Sequence, residues 1–130
     1  MELKKSIESN PEEFLTLCKT HDVKSLYAFG SSTTDKFDVN LSDIDLLVEI
    51  ETADPVERGE KLLDLWEKFE NFFQRKVDLL TTKSIRNPFL RKSIDASKIL
   101  IYDGQRQEIS FWYFNGYRTY RRIYNRGQGF

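Results

Sequence analysis

A chain of 130 residues with one cysteine and one histidine can build one ordinary hydrophobic core and cannot close an internal disulfide. Its 20 Lys and Arg against 21 Asp and Glu leave a formal net charge of −1, which speaks against a general nucleic-acid binder living on neutralised phosphates. No apolar run approaches the roughly 20 residues of a membrane-crossing helix. Met1-Glu2-Leu3-Lys4-Lys5 turns polar at once, so no signal peptide is expected and a reducing cytoplasm is the expected setting.

Asn10-Pro11-Glu12-Glu13 predicts a helix start, with Asn as cap and Pro at the first helical position. Phe14, Leu15, Leu17 and Cys18 give it an apolar face that ends near His21, a helix-end dipole partner or surface residue. Val23 to Phe29 is a short apolar run stopped by Gly30, which suits a strand. The polar stretch from Ser31 to Ser42 reads as a loop, or as a short helix followed by a loop. Ile44 to Ile50 is a second strand, apolar enough to be buried on both faces. Ala53-Asp54-Pro55 opens a helix in which Leu62, Trp66, Phe69 and Phe73 recur at helical spacing, the stripe widened by Leu63, Leu65 and Phe72. Arg75 to Leu80 is a third strand, Ile85 to Ile94 a helix with Pro88 near its start, and Lys98 to Tyr102 a last strand. The order predicts an α/β chain of the α+β type: a small mixed sheet of about four strands covered by helices. Residues 1–102 form the domain. Residues 103–130 form an extension that holds Phe111-Trp112-Tyr113-Phe114 and five arginines, Arg106, Arg118, Arg121, Arg122 and Arg126. Arginine interleaved with aromatics is also a single-strand nucleic-acid signal, but four adjacent aromatics suit packing better.

Three acids stand out. Asp43 and Asp45 open a strand that is otherwise apolar, and Asp78 interrupts Val77-Leu79-Leu80 in what reads as a strand core. Residues two apart in a strand share a face, so Asp43 and Asp45 project side by side. Paired carboxylates repel, and burying them costs several kcal/mol unless something compensates. A divalent cation is the natural compensation, and because Cys18 and His21 stand alone the ligands would be hard oxygens suited to Mg²⁺ or Mn²⁺. A lone Asp-x-Asp reads as readily as two solvated acids. Here it follows Phe29-Gly30-Ser31-Ser32, where glycine lets a ligand approach the backbone closely and serine adds a hydroxyl donor.

Leu26-Tyr27-Ala28-Phe29-Gly30-Ser31, then Ser42-Asp43-Ile44-Asp45-Leu46-Leu47-Val48-Glu49, then Arg75-Lys76-Val77-Asp78-Leu79-Leu80 occur in that order. Together with Asn87-Pro88-Phe89-Leu90 and Ile99-Leu100-Ile101-Tyr102, they resemble the nucleotidyltransferase superfamily that includes DNA polymerase beta. The likeness is to its minimal prokaryotic branch and spans residues 20–102. The resemblance implies that Gly30 and Ser31, with Ser42 nearby, bind the nucleotide, that Asp43 and Asp45 hold metal, and that Asp78 completes the metal and catalytic site. It implies ATP as substrate, AMP as the group moved, and Mg²⁺ or Mn²⁺ as cofactor. Members of the branch are often antitoxins that add AMP to a tyrosine of a HEPN-type ribonuclease toxin, which implies such a protein as partner. Many members continue the Gly-Ser pair into Arg-Gly, whereas this chain has Ser32-Thr33-Thr34-Asp35, leaving Lys36 or Arg75 to supply a cation. A module that neutralises a partner by contact without catalysis is therefore the alternative. Aminoglycoside modification ranks below both, because the chain lacks an acceptor domain.

Overall fold

The computed structural model describes residues 2–30 and 43–110. Ser31, Ser42, Lys36 and the run Phe111 to Phe114 lie outside them, as does the Ser32-to-Asp35 departure. The elements are α1 (Glu2–Ser9), α2 (Pro11–Thr20), β1 (Val23–Ala28), β2 (Ile44–Ile50), α3 (Pro55–Phe73), β3 (Val77–Leu80), α4 (Pro88–Ser97), β4 (Ile99–Asp103) and β5 (Glu108–Ile109). They form one five-stranded mixed sheet in the order β3-β2-β1-β4-β5. Only β2 and β3 run parallel; β1–β2, β1–β4 and β4–β5 are antiparallel.

Four strands were expected and five are present. β5 is two residues long, with both side chains buried, too short to give a periodic signal. It pairs with β4 through Tyr102–Ile109 and Asp103–Glu108, so residues just beyond 102 carry the sheet onward. Helix α1 was not foreseen either. It buries only Leu3 and Ile7 deeply, a stripe too narrow to stand out in a lysine- and glutamate-rich segment.

Both ends of α3 and the start of α4 have a local chemical cause. Asp54 caps α3 by accepting a hydrogen bond from the Glu57 backbone N–H at 3.2 Å, and Gln74 ends it in the left-handed region at φ 53°. Asn87 caps α4, accepting from the N–H groups of Phe89 at 2.9 Å and Leu90 at 3.4 Å. That cap moves the helix start from the expected Ile85 to Pro88. Residues Thr82–Ser84 instead form a 3₁₀ turn boxed by Thr81 and Ser84. Asn10 departs from expectation: its side chain makes no cap hydrogen bond to α2, and its amide donates to the Glu13 carboxylate.

The strand alternation sends two sets of side chains to opposite faces. Leu26, Ala28, Ile44, Leu46, Val48, Val77, Leu79 and Ile101 join Phe14, Leu15 and Cys18 of α2 and Leu65, Phe69 and Phe73 of α3 in the main core. Phe29 and Leu47 pack with Ile85 and Ile94 in a second cluster under α4, flanked by Tyr27 and Leu80. Burial of β2 on both faces was expected from its apolar run and is found. Leu63, expected in the apolar stripe of α3, is 67% exposed, since it lies on the outer side of the helix. His21 is not a surface residue: it is 6% exposed. Its ring nitrogens face the Leu17 carbonyl at 2.8 Å and the Asp64 carboxylate at 2.6 Å, tying the end of α2 to α3.

Phe14, Phe69, Phe72 and Phe73 form a ring cluster with centroids 5.0 to 6.2 Å apart, joining α2 to α3. Phe69 is fully buried at its centre. Phe69→Ala is expected to cost about 3–5 kcal/mol, a large part of the roughly 5–15 kcal/mol that holds a small domain. Urea denaturation followed by far-ultraviolet circular dichroism checks this, and a loss below about 1 kcal/mol would contradict the packing described.

Candidate active site

β2 and β3 align in parallel with Ile44 opposite Val77, Asp45 opposite Asp78 and Leu46 opposite Leu79. Strands in register lie about 4.8 Å apart, so Asp45 and Asp78 are direct neighbours on the face away from the main core. At about 5 Å, two like charges cost roughly 1 to 3 kcal/mol between water and a protein-surface dielectric. Asp43 sits two residues before Asp45, just ahead of the strand, and is half-buried, as is Asp45.

Asp78 is exposed, contrary to the expectation of an acid in a strand core. β3 is the sheet's edge strand, so its outward face meets solvent where a central strand would not. The register is fixed from behind. The Val77 N–H donates to the Glu70 carboxylate at 3.0 Å, and the Trp66 indole N–H donates to the Val77 carbonyl at 2.6 Å. Trp66 was expected only to pack; it also pins the residue beside Asp78.

Asp45 shows the strain of the arrangement. Burial, then the Asp78 charge, then the Asp43 charge raise its pKa to about 6. The chain has thus gathered three carboxylates whose charges oppose one another. Among the described residues, no three His, Cys, Asp or Glu side chains close into a metal cage. Mg²⁺ does not need one, since it is usually held by one or two carboxylates, waters and substrate phosphates. An all-oxygen donor set with excess negative charge fits a cation that arrives with a nucleotide.

Gly30 follows β1 at the same end of the sheet. The Phe29 N–H donates to the Asp45 carbonyl at 3.1 Å, laying the end of β1 against the start of β2. Gly30 has φ +64°, and a Cβ there would stand 2.9 Å from an Asp45 carboxylate oxygen. Both the left-handed backbone and the close carboxylate call for glycine. Gly30, Asp45 and Asp78 therefore lie in one row across β1, β2 and β3, with Asp43 beside it.

The row has a neighbour that the sequence motifs did not mark. β4 pairs Ile99 with Ala28, which puts Lys98 at the β4 side of the Phe29–Gly30 turn. Its ammonium lies 4.6 Å from the centroid of the Tyr27 ring and 3.1 Å from the Asp95 carboxylate. Arg75, considered as a cation for the site, lies between the Gln74 cap of α3 and β3, its N–H donating to the Glu70 carbonyl at 3.3 Å. A cavity of about 580 Å³ opens between α3, the far end of β2 and Thr81–Lys83. It shares no residue with this row. Volume alone is a weaker guide than converging carboxylates beside a glycine turn.

Residues 11–101 match the family model of the nucleotidyltransferase domain. A candidate protein adenylyltransferase of Methanocaldococcus jannaschii is 38% identical over 81 residues, 62% of this chain and 79% of that protein. A second one from the same organism is 33% identical over 100 residues, 77% of this chain and 95% of that protein. Among solved structures, a chain from a toxin–antitoxin crystal structure with AMP-PNP superimposes with a TM-score of 0.54 at 20% identity. It covers 92% of this chain and 93% of that chain, and at this identity the likeness concerns the fold.

The raised pKa of Asp45 has a consequence for stability. The folded protein keeps a proton that the unfolded chain releases above about 3.8, so stability falls as pH climbs to about 6 and the full cost stands above it. Two pKa units would amount to about 3 kcal/mol; for a half-exposed group, screening reduces this to about 1 kcal/mol. Asp45→Asn is expected to unfold at higher urea than wild type at pH 7.5 without divalent cations, with the gap closing near pH 4. An equal gap at both pH values would contradict this account. Gly30→Ala is expected to destabilise by about 1–2 kcal/mol from φ alone and to shift the Asp45 carboxylate, which the same titration reads as a changed pH dependence.

Proposed function

This chain belongs to the nucleotidyltransferase domain family, and on that premise we propose that it transfers AMP from ATP to a hydroxyl group of a partner protein. The observation that carries this reading is the Asp45–Asp78 register with Asp43 and Gly30 around it. Such a set of acids is a poor structural choice and a good one for phosphoryl chemistry. The relatives named as candidate protein adenylyltransferases support AMP as the group and a protein as the acceptor. The fold shared with a toxin–antitoxin chain supports a toxin as that protein, and the family resemblance implies a tyrosine of a HEPN-type toxin.

The chemistry assigned to the residues follows from their places. The triphosphate runs past the Gly30–Ser31 turn, where the absence of a side chain on Gly30 leaves room beside Asp45. The acceptor hydroxyl oxygen attacks the α-phosphorus from the Asp78 side. Its bond to phosphorus forms as the α–β bridging bond breaks, and pyrophosphate leaves. Asp78, exposed on the edge strand, is open to an incoming protein and takes the hydroxyl proton or orients it. Asp43 and Asp45 would hold a divalent cation, Mg²⁺ or Mn²⁺, which would supply charge neutralisation at the α-phosphate and the leaving pyrophosphate.

Incubation with α-labelled ATP, Mg²⁺ and the protein encoded next to this one tests the reading. Wild type is expected to label that neighbour. Asp43→Asn and Asp78→Asn are each expected to slow labelling by about 10²–10⁴-fold. An unlabelled neighbour, with wild type and Asp43→Asn behaving alike, would overturn the enzymatic reading. A second reading, neutralisation by contact alone, is favoured by Ser32-Thr33-Thr34-Asp35 standing where many family members have Arg-Gly. Calorimetry separates the two, because a contact inhibitor is expected to bind its partner and not ATP.

A further inference from the structure

We infer that Lys98 supplies the cation for the terminal phosphates of the nucleotide, from the α4–β4 junction beside the glycine turn. This inference rests on the transferase reading and adds to it the residue that reads the triphosphate. The phosphate loop has no arginine: Gly30-Ser31 continues into Ser32-Thr33-Thr34-Asp35. A triphosphate carries more negative charge than a cation shared with Asp43 and Asp45 neutralises, so a second positive group is needed on the far side of the chain of phosphates.

Topology places Lys98 on that side. β1 is flanked by β2 on one edge and β4 on the other. Asp45 reaches the Gly30 turn from β2. With Ile99 opposite Ala28 in an antiparallel pair, Lys98, which ends α4 one residue ahead of β4, stands beside the same turn. Its ammonium lies over the Tyr27 ring. Tyr27 pairs with Leu47, and both belong to the cluster under α4, the face that also carries Asp45. Diagonal neighbours across paired strands are about 7–8 Å apart. The ammonium and the Asp45 carboxylate therefore stand on one side of the sheet, on the order of 10 Å apart, with the Gly30 turn between them. Phosphates seated on the turn would have the acids and their cation on one hand and Lys98 on the other.

The current partner of Lys98 is a modest competitor. The Asp95 pair spans three residues, at 3.1 Å, with the side chains 30% and 58% exposed. Exposed pairs of this kind contribute little, and a compact ammonium on a flexible stem exchanges partners readily. The Tyr27 ring meets the ammonium itself, 4.6 Å from its centroid, on the face of the sheet that carries Asp45. A purely structural lysine would serve Asp95 and Tyr27 alone. That alternative makes Asp95 as important as Lys98, which gives the test its second arm.

Binding of AMP, ADP and ATP to the full chain, measured by calorimetry with Mg²⁺, reads the inference without relying on turnover. Wild type is expected to prefer ATP over AMP. Lys98→Ala is expected to weaken ATP about 10- to 100-fold, the range of one charge-assisted hydrogen bond, and to leave AMP unchanged. Lys98→Arg is expected to restore most of the preference, and Asp95→Asn, which releases the ammonium, to leave ATP binding as tight or tighter. ATP and AMP weakened equally by Lys98→Ala, no change in either, or Asp95→Asn behaving like Lys98→Ala would overturn the inference while the transferase reading stands. Wild type that binds no ATP at all would overturn both. Thermal melts of each variant, expected within a few degrees of wild type, exclude misfolding as the cause.

Discussion

The parallel pairing of β2 with β3 is the constraint on which the rest of the structure turns. It is the only parallel pair among the described residues, and it sets Asp45 directly opposite Asp78. Two carboxylates on adjacent strands repel, so the pairing does not exist for their sake; other contacts must hold it against them. The apolar residues between them do this. Ile44, Leu46, Val77 and Leu79 alternate with the acids and face the main core, so a one-residue slip of β3 would bury Asp78 and expose Val77 and Leu79. The penalty for slippage is much larger than the repulsion it would relieve. α3 adds a direct clamp, with Glu70 and Trp66 taking the outward N–H and carbonyl of Val77. That clamp also closes part of an edge that would otherwise present unpaired backbone to other chains.

β2 works as a two-faced strand because helices cover the sheet unevenly. On one face, α2 and α3 bury the strand along its length through the phenylalanine cluster. On the other, α4 covers Leu47 with Ile85 and Ile94 and stops short of the acids. Coverage at one end and openness at the other turn a core strand into a site. The half-burial of Asp45 follows from this boundary: enough apolar surface lies nearby to raise its pKa, and enough access remains for a cation and phosphates. Stability and activity are opposed at this residue. The carboxylate weakens the empty fold at neutral pH and is the group that the proposed chemistry requires, so its cost is recovered only when the nucleotide and its cation bind.

The same boundary bears on how positive charge could reach the proposed phosphate site, whose loop carries no arginine. The glycine turn lies between two strands, and either neighbour can deliver a side chain to it. Asp45 comes from one and Lys98 from the residue just ahead of the other. A loop arginine and a lysine at the α4–β4 junction are electrostatically related solutions to a triphosphate. The Tyr27 ring beneath the ammonium keeps that charge on the face of the acids.

Much of this was legible in the residues themselves. Asp-x-Asp at a strand start, glycine after an apolar run, and helix starts at Pro11 and Pro55 depend on local chemistry: alternation, missing Cβ atoms and a proline's fixed φ. Those properties travel with the sequence. Several features were decided only by tertiary structure. Asp78 read as a core acid because its neighbours are apolar, yet exposure depends on β3 lying at the edge, and strand order leaves no trace in a single chain. β5 is too short to show a period, and Leu63 matched a helical stripe whose outer side nothing covers. His21 gains its burial from Asp64, 43 residues away. Lys98 carries no motif at all; only the antiparallel pairing of β4 with β1 brings it to the glycine turn. Sequence alone determined where the oxygen donors and the glycine stand along the chain, because that is a matter of side-chain chemistry. Which of them share one face, and which lysine stands near them, was decided by strand order and register, which arise from packing energies summed over residues distant in sequence.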